Sequence, residues 1–479
     1  MKILLTGANG YIGKRLLPVL LEQGHIVYCC VRNKQRFTHK ELPHQNLRLL
    51  EVDLLQPKTL YKIPKDIEVS YYLIHSMLQG TEDFDILEKK CAQNFVDYLK
   101  TTENRQIIYL SGIANEDKLS KHLQSRKEVE EILKQSRSYY TILRAGIIVG
   151  SGSASFEIIR DLVEKLPVML TPKWLLTKCQ PIAIRNVIEY LYKSICHKSC
   201  LNQTFDIGGT EVLTYKEMLQ QYAQVRKLNR TIISLPVMTP RLSSYWLFFI
   251  TSTSYNLAVN LVNSMKIEVV CRPNDLENLL DIHPIPYKEA IRLAMGNIKQ
   301  QMVISSWKDA LSSGRLSNKN FKYVEPPSFG CYFDTKSYPI GDIEKTIDNV
   351  WAVGGDRGWY YANWLWQIRG FIDKLFGGVG LNRGRRHPNE IEIGDSLDFW
   401  RVLLADKQNM RLLLYAEMRL PGEAWLEFSV NQKQDKTYLQ QKAIFRPKGL
   451  GGRLYWILSY PFHVFIFNGM IKGIINYNK

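Results

Sequence analysis

The sequence predicts a doubly wound parallel α/β sheet with a small substrate lobe, followed by an α+β domain with an antiparallel sheet and a long C-terminal helix. Three observations lead to this prediction. Short apolar strands alternate with helices over residues 1–150, which is typical of parallel β-α-β units. A glycine-rich turn lies between the first strand and the first helix. Beyond residue 320 the pattern changes to successive strands and a final apolar helix, and seven of the ten tryptophans lie there.

The elements of the first 150 residues follow in a regular order. Leucines at helical spacing predict the first helix, and two further segments are predicted as helices. The strands are short apolar runs that lie between these helices and the intervening loops. The predicted strands are Lys2–Leu5, His25–Val31, Leu47–Val52, Val69–Ile74, Gln106–Leu110 and Tyr140–Arg144, and the predicted helices are Gly13–Gln23, Asp85–Lys100 and Arg126–Ser136.

Residues 151–300 have a mixed character that predicts a smaller lobe closing over the carboxyl ends of the sheet. Within this lobe, Phe205–Gly209 is predicted as a strand that ends in a glycine turn, and Tyr215–Val225 as a helix. We therefore place the first domain at residues 1–300. A linker at 301–328 and a second domain at 329–479 complete the predicted organisation.

The second domain shows a pattern of antiparallel strands that precede one long helix. The predicted elements are strands Asp398–Leu404, Met410–Met418, Trp425–Val430 and Tyr438–Phe445, and the helix Leu454–Ile475. This order resembles the helix-grip fold, in which a curved sheet wraps around one long helix. The resemblance implies a pocket for an apolar small molecule, and a solid aromatic core is the alternative.

Composition limits the classes of function. The chain has 479 residues, of which 45% are hydrophobic and 11% aromatic, so a mainly disordered protein is excluded. The net charge of +17 suits an anionic cofactor, a nucleic acid or an acidic membrane surface, and does not choose among them. Nucleic-acid binding is not expected, because the basic cluster at 384–387 is too short to form a stripe with stacking aromatic residues.

The cysteines and the apolar segments predict the location of the protein. Eight scattered cysteines without metal-ligand spacing predict reduced thiols and no metal site, and the first residues lack the pattern of a signal peptide. We therefore expect a cytoplasmic protein. Two apolar stretches, 245–262 and 454–475, contain polar residues and predict buried or surface-docked helices rather than membrane spans. A peripheral contact with the inner face of a membrane is left open.

The strongest motif is a glycine-rich turn with the sequence TGANGYIG, which lies between a strand and a helix. Gly7 permits the tight turn, Gly10 lets a pyrophosphate approach the backbone, and Gly13 lets the helix pack close to the strand. The helix N-terminus offers free N–H groups and a positive dipole end to phosphates. We therefore predict a Rossmann-type dinucleotide-binding site formed by Thr6, Gly7, Asn9, Gly10, Tyr11, Ile12 and Gly13.

The residues after the second strand predict which dinucleotide binds. An acidic residue there would bind the ribose 2′-hydroxyl of NAD, but this strand is followed by Arg32, with Lys34 nearby. A guanidinium can bind a 2′-phosphate through two parallel hydrogen bonds. NADP(H) is therefore favoured over NAD(H). Asp53 comes directly after the third strand and before Leu54, and it is either an adenine-binding residue or an ordinary turn residue.

These motifs resemble the short-chain dehydrogenase/reductase superfamily and, within it, the atypical NmrA-like branch of NAD(P)H-binding proteins. The resemblance covers about residues 1–300. It is carried by TGANGYIG at 6–13, VRN at 31–33, VDL at 52–54, YYLIHSM at 71–77, LRAGIIVGSG at 143–152, QPIAIRNVIEYL at 180–191 and FDIGGTEVLTYKEM at 205–218. The whole chain also resembles bacterial two-part proteins that join such a domain to an uncharacterised conserved C-terminal domain.

The resemblance implies a proton-transfer site after the fifth strand. The superfamily's serine corresponds to Ser111, whereas its Tyr-x-x-x-Lys pair aligns by spacing with His122 and Arg126. His75 and Ser76 lie where the family contacts the nicotinamide ribose. His122 could donate a proton, because the reference pKa of histidine is about 6.5. Arg126 could hold a ribose or a phosphate but cannot lose its proton.

Because the sequence departs from the family pattern at these two positions, two alternative functions are predicted. The first is an NAD(P)H-dependent oxidoreductase of atypical type, which acts on an apolar or quinone-like carbonyl with His122, Ser111 and Arg126 as catalytic residues. The second is a non-catalytic NAD(P)H-binding regulator or assembly factor of the NmrA-like type. In the plainest interpretation, His122 only covers one face of a helix.

Overall fold

The protein, described by a computed structural model, divides into two compact units. Unit 1 comprises Met1–Thr251 with Asn256–Trp307, and unit 2 comprises Ser252–Tyr255 with Lys308–Lys479. The residues described are 1–32, 34, 37, 45–74, 84–114, 121–235, 259, 262–263, 265–299, 331–381, 385, 387, 389–433 and 436–477. The predicted linker at 301–328 lies outside them, as does most of the apolar stretch 245–262.

Unit 1 contains a central sheet and a smaller lobe. Its strands are β1 (Lys2–Leu5), β2 (Ile26–Val31), β3 (Leu47–Glu51), β4 (Val69–Tyr72), β5 (Gln106–Gly112), β6 (Tyr139–Ala145), β7 (Ile148–Val149), β8 (Val168–Pro172), β9 (Lys178–Cys179), β10 (Ile182–Ala183), β11 (Gln203–Ile207), β12 (Leu213–Thr214) and β13 (Thr231–Leu235). Its helices are α1 (Gly13–Glu22), α2 (Pro57–Leu60), α3 (Phe84–Leu99), α4 (Lys121–Lys134), α5 (Ala154–Lys165), α6 (Ile184–Lys193), α7 (Tyr215–Val225), α8 (Leu276–Leu279) and α9 (Tyr287–Lys299).

The central sheet has seven parallel strands in the order β11-β6-β5-β4-β1-β2-β3. The chain adds β2 and β3 on one side of β1 and then returns to add β4 on the other side. Ligands of such sheets bind in the crevice at this reversal, outside the carboxyl ends of the strands. The predicted doubly wound fold is confirmed, and its crevice lies at the carboxyl ends of β1 and β4.

Apolar clusters cover both faces of the central sheet. Ile3 and Cys29 belong to the cluster under α1 and α6, whereas Leu4 and Cys30 belong to the cluster under α3 and α4. Successive side chains of a strand point to opposite faces, so the two adjacent cysteines are buried in separate cores. Strands that are buried on both faces are typical of parallel sheets and explain the continuous apolar runs in this sequence.

The seventh strand corrects the expectation that Phe205–Gly209 lies in the lobe. β11 forms the edge of the central sheet, paired in parallel with β6 from Gln203 opposite Thr141 to Ile207 opposite Ala145. This pairing supplies partners to the backbone groups on the open side of β6, and a local sequence pattern cannot show it. The lobe instead contains the strand pairs β7–β10, β8–β13 and β9–β12, together with α5, α7 and α9.

Unit 2 is built on a six-stranded antiparallel sheet. Its strands are β14 (Tyr332–Pro339), β15 (Ser396–Leu397), β16 (Trp400–Asp406), β17 (Arg411–Ala416), β18 (Gly422–Lys433) and β19 (Lys436–Pro447), and its helices are α10 (Ile343–Val350), α11 (Asn363–Leu375) and α12 (Gly449–Asn476). The strand order is β14-β19-β18-β17-β16-β15. The predicted antiparallel sheet with a long C-terminal helix is confirmed, and the helix begins earlier than the predicted Leu454.

Three elements of unit 2 are not predicted from the sequence: β14, α10 and α11. β14 is an edge strand in which Asp334 is the one buried residue, so it lacks the apolar alternation that predicts a strand. Its pairing with β19 defines it. α11 has apolar residues on both its buried and its exposed sides, for example Trp366 and Phe371, and this hides the helical period.

Within the described residues, α12 is the one helix that is long and apolar enough to cross a membrane, judged by length and composition. About 22% of its most apolar stretch is buried. Phe467, Met470 and Ile471 in its second half belong to the core of unit 2. In its first half the Trp456 ring stacks on Phe445, with ring centroids 5.6 Å apart. Both halves of the helix therefore pack on the sheet of unit 2.

A buried ion pair joins β16 to the end of β17. The Arg401 guanidinium donates to both carboxylate oxygens of Glu417 at 3.2 Å, and both side chains are 0% exposed. Arg401 also donates to the carbonyl oxygen of Gly394 at 2.7 Å. Removal of one partner would leave the other charge buried without compensation, which is one of the costliest single changes in a core.

We expect Arg401→Met to lower the free energy of unfolding of unit 2 by about 3–5 kcal/mol, since Glu417 would remain buried without its partner. Urea denaturation followed by tryptophan fluorescence measures this loss. Lys407→Met is the control, because the ion pair of Lys407 with Asp348 is exposed and should contribute about 1 kcal/mol or less. Equal losses for the two variants would contradict the expectation.

Candidate functional site

The glycine turn between β1 and α1 has a shape that larger residues could not adopt. Gly7 has a φ of +66°, and a Cβ atom there would collide with the carbonyl group of Leu73 after β4. A Cβ atom at Gly13 would collide with the carbonyl oxygen of Gly7 and with Ala8. The turn therefore lies directly against β4, and α1 begins directly against the turn.

Gly10 differs from its neighbours because it faces open space. A Cβ atom at Gly10 would lie 3.0 Å from the carbonyl oxygen of Gly7 and would meet nothing else within 4 Å among the described residues. The first turn of α1 has neither a side-chain cap nor an acidic residue. Its positive dipole end can therefore face an anion, as a pyrophosphate requires.

Thr6 holds the turn in place and does not face a ligand. Its hydroxyl donates to the carbonyl oxygen of Tyr71 at 2.8 Å and accepts from the N–H of Leu73 at 3.1 Å. Thr6 is fully buried. It therefore connects the end of β1 to the end of β4, and its contribution to a nucleotide site is positional.

Tyr11 also points away from the turn. The Arg15 guanidinium lies 3.9 Å from its ring centroid, and the tyrosine hydroxyl lies beside Gly150. Burial raises the pKa of Tyr11 to about 12, against the opposing effects of Arg15 and Ser153. The side chain is thus directed towards Arg15 and Gly150, and the predicted phosphate contact would be made by the backbone of the turn.

Three buried polar atoms near the crevice make no hydrogen bond of normal geometry with any described residue. They are the Asn9 side-chain oxygen, the Ser111 hydroxyl and the Nε atom of Arg126. Buried polar groups in proteins nearly always have a partner. A dinucleotide in the crevice would offer hydroxyl and phosphate groups to such atoms, so the residues present fit the predicted cofactor.

Ser111 and Arg126 lie together at the carboxyl end of β5. A Cβ atom at Gly112 would contact both Leu123 and Arg126 of α4, so the arginine side chain lies across the end of the strand. Burial raises the pKa of Tyr109 to about 12, and the positive charge of Arg126 opposes this rise. Ser111 is 1% exposed. The structure therefore places Arg126 beside Gly112, the residue that follows Ser111.

The third predicted catalytic residue, His122, lies on α4, and its side chain is outside the described residues. α4 begins at Lys121 rather than at the predicted Arg126, so His122 and Arg126 are one helical turn apart and share a face. His75 and Ser76 are likewise outside the described residues. Their predicted roles stay predictions.

The residues predicted to select the cofactor lie at the ends of β2 and β3. Arg32 is exposed and lies near Cys91. Burial and the charge of Asp53 raise the pKa of the Cys91 thiol, and the charge of Arg32 lowers it. The Asp53 carboxylate accepts from the N–H of Leu55 at 3.1 Å and from the amide of Gln56 at 3.2 Å, as in an ordinary turn. Leu54 is buried, so its side chain belongs to the core.

A row of three polar or charged residues at the same edge of the sheet is not evident from the sequence. Ser111 on β5 is opposite Arg144 on β6, which is opposite Asp206 on β11. The Arg144 guanidinium binds the buried carboxylate of Glu130 from α4, and Arg272 binds Asp206 through two hydrogen bonds near 3 Å. The only sequence signal is one polar residue at the end of each strand. These pairs fix the wall of the crevice beside Ser111.

Two family models match separate parts of this chain. A family model described as NAD(P)H-binding matches residues 7–164, which include the glycine turn, β5 and α4. A second model, described as a protein of unknown function (DUF2867), matches residues 331–470. The chain joins an NAD(P)H-binding domain to a DUF2867 domain. The resemblance inferred from the sequence is confirmed at this level.

Two curated relatives and one solved structure are similar to part of this chain. Photosystem II assembly factor Ycf39 from Cyanophora paradoxa is 24% identical over 246 residues, which are 50% of this chain and 72% of that protein. Divinyl chlorophyllide a 8-vinyl-reductase, chloroplastic, from Arabidopsis thaliana is 21% identical over 226 residues, 44% of this chain and 53% of that protein. The structure of Citrobacter sp. triphenylmethane reductase, 17% identical, has a TM-score of 0.50 and covers 62% of this chain and 100% of that chain. This last likeness shows the fold.

We expect Gly10→Val to abolish binding of NADPH and of NADH, because the new side chain would occupy the space that is open to a phosphate. Titration calorimetry with each nucleotide measures the affinity. Gly296→Val is the control, since a Cβ atom at that position of α9 meets nothing within 4 Å. A Gly10→Val protein with a normal circular dichroism spectrum and an unchanged affinity would show that the nucleotide binds elsewhere.

Proposed function

We propose that unit 1 is an NADP(H)-dependent reductase that acts on an apolar or quinone-like carbonyl. The observation that supports this is the Ser111 hydroxyl, which is buried, has the Tyr109 side chain beside it, and makes no hydrogen bond of normal geometry with any described residue. It lies at the carboxyl end of β5, two strands and therefore about 10 Å from the glycine turn on β1. A dinucleotide that extends along the crevice from the turn would reach this position.

The residues of this site have separate roles in the proposal. Ser111 donates a hydrogen bond to the carbonyl oxygen of the substrate and so orients it. The dinucleotide, when bound, supplies the hydride that the carbonyl carbon accepts. His122 donates the proton that the oxygen then requires. Arg126, one helical turn away on the same face of α4, stabilises negative charge on the ribose-phosphate part of the cofactor.

The preference for NADP(H) is a further part of the proposal. Arg32 is exposed at the end of β2, where it can reach a 2′-phosphate, and no acidic residue follows that strand within the next five positions. An acidic residue there would hydrogen-bond the ribose 2′-hydroxyl of NAD. A guanidinium instead binds a phosphate bidentately, which favours the phosphorylated dinucleotide.

A second candidate function is a non-catalytic NAD(P)H-binding assembly factor. Two observations favour it: the chain matches 72% of a relative named as an assembly factor, and the Tyr-x-x-x-Lys pair of the superfamily is replaced by His122 and Arg126. The other relative is named as a reductase, but the match covers 53% of it. In the assembly-factor case, cofactor binding would stabilise the fold and turnover would be absent.

We expect the unmodified protein to oxidise NADPH in the presence of an apolar quinone such as 9,10-phenanthrenequinone. Ser111→Ala should lower kcat by about 10²–10³-fold, because it removes a hydrogen-bond donor to the reacting oxygen. His122→Phe should lower kcat by about 10²–10⁴-fold through loss of the general acid. The decrease in NADPH absorbance measures both rates.

The affinity for NADPH is the control in this experiment. It should change little in Ser111→Ala and His122→Phe, whereas Arg126→Met should weaken it because Arg126 is proposed to bind the cofactor. A protein that binds NADPH but oxidises it with neither quinones nor aldehydes would contradict the reductase. That result would support the assembly factor.

We expect Arg32→Ala to weaken NADPH binding by about 10–100-fold, the effect of losing a charge-assisted hydrogen bond, and to leave NADH binding nearly unchanged. Titration with the two nucleotides gives the ratio of affinities. Arg48→Ala is the matched control, because Arg48 is exposed on neighbouring β3 and donates to nearby backbone carbonyls. Equal affinity of the unmodified protein for both nucleotides would refute the preference.

A further inference from the structure

Helix α11 of unit 2 presents a row of apolar side chains to solvent. In a globular protein the apolar side of a helix normally faces the core, and α11 does bury Trp366 in the core of unit 2. The opposite side of this helix is apolar as well, although it is exposed. Its residues follow at the three- and four-residue spacing of one helix face: Trp364, Ile368, Phe371, Ile372, Leu375 and Phe376.

Helix α12 carries a second exposed row with the same spacing. The side of α12 that packs on the sheet contains Trp456, Phe467 and Met470. The other side is again apolar, and its first member, Leu450, is 82% exposed. The members of this row are Leu450, Leu454, Ile457, Leu458, Phe462 and Phe465.

The two rows belong to one continuous surface. Ile368, Ile372 and Phe376 from the first row and Leu458 and Phe462 from the second line the same groove between the helices. We call the two rows together the apolar face. Soluble proteins rarely expose a large contiguous apolar patch, and such patches mark contacts with another protein or with a membrane. The apolar face therefore requires an occupant.

Positive charge borders the apolar face. Arg453 is exposed and lies three residues from one member of the α12 row and four from another, so it is beside that row. Lys448 directly before α12 and Arg419 in the groove are also exposed. Residues 447–479 contain no Asp or Glu. The one acidic residue of α11, Asp373, is buried and accepts from two backbone N–H groups.

This combination of apolar side chains and positive charge favours a lipid surface over a protein partner. A second copy of the chain would bring Arg419, Lys448 and Arg453 towards their own counterparts, and like charges across an interface are unfavourable. A typical protein interface also contains about one hydrogen bond per 100–200 Å², whereas the two rows consist of side chains that form almost none. Acyl chains require no hydrogen bonds, and anionic headgroups match the bordering cations.

We propose that the apolar face of unit 2 docks the protein on an anionic lipid bilayer. The side chains of both rows would enter the boundary between headgroups and acyl chains by about 5–10 Å. Helix α12 would lie in this boundary rather than cross the bilayer, because its other side packs on the sheet through Trp456 and Met470. The proposal does not depend on the reaction of unit 1, since both rows belong to unit 2.

Sedimentation of the full chain with vesicles tests this docking. One set of vesicles contains phosphatidylcholine alone, and the other contains phosphatidylcholine and phosphatidylglycerol in equal parts. We expect binding to the anionic vesicles to be about 10–100-fold tighter, since each Lys or Arg near an anionic surface contributes about fivefold. High salt should remove most of this difference by screening the charges. No binding to the anionic vesicles, or equal binding to both sets, would overturn the proposal.

Variants of exposed residues assign the binding to the apolar face. Phe371→Gln in the α11 row and Ile457→Gln in the α12 row should each weaken binding to both sets of vesicles about tenfold, through loss of one apolar side chain from the lipid. Phe333→Gln is the matched control. Phe333 is exposed and lies opposite Ile444, whose neighbour Phe445 packs on α12, so Phe333 is on the far side of the sheet. Unchanged affinity in both row variants would contradict the proposal.

A charge variant tests the role of the bordering cations. Arg453→Gln should weaken binding to the anionic vesicles about fivefold and leave binding to phosphatidylcholine nearly unchanged. Lys436→Gln is the control, because Lys436 is exposed at the opposite end of β19 from Lys448. Equal losses for the two variants would show that only total charge matters, which would contradict docking through this face.

Two other occupants give different results in the same measurements. If α12 left the sheet and crossed the bilayer, the protein would stay with the vesicles in an alkaline carbonate wash, whereas a docked protein is released. If a second copy covered the apolar face, the chain would ignore vesicles and sediment as a dimer that Phe371→Gln converts to a monomer. Either result would overturn the proposal.

Discussion

The glycine turn fits against β4 so closely that the rest of unit 1 depends on this contact. Gly7 has no room for a side chain beside the carbonyl group of Leu73, and Gly13 has none beside Gly7. Thr6 fixes the spacing through hydrogen bonds to the backbone around Tyr71 and Leu73. As a result, α1 begins at the carboxyl ends of β1 and β4, and its N-terminus faces the crevice. The position of this helix N-terminus is therefore set by backbone packing.

The neighbouring strands place further polar groups along this crevice, and these groups differ in whether they already have a partner. Arg144 and Asp206 are neutralised by Glu130 and Arg272, so they form a rigid wall. Ser111, in the same row, makes no hydrogen bond of normal geometry with any described residue. In the proposed reductase, this hydroxyl would be the group of the row that binds a substrate atom, whereas the charges of Arg144 and Asp206 are already compensated.

The core of unit 2 also contains buried polar groups that have partners. It contains a fully compensated ion pair, Arg401 with Glu417, and a satisfied indole in Trp359. Within the described residues of unit 2, five buried polar atoms make no hydrogen bond, one each in Asp334, Trp366, Trp400, Gln441 and His463.

Local sequence determined the alternation of strands and helices, the glycine turn and the long final helix, because each depends on short-range periodicity or on backbone freedom at single residues. It also placed Ser111 at the end of β5. Only the tertiary structure decided that β11 completes the central sheet and that α11 exists, since these follow from pairing and burial between distant segments. The direction of the Tyr11 side chain and the burial of the Arg401–Glu417 ion pair likewise depend on which distant atoms surround a side chain, and no local pattern encodes that.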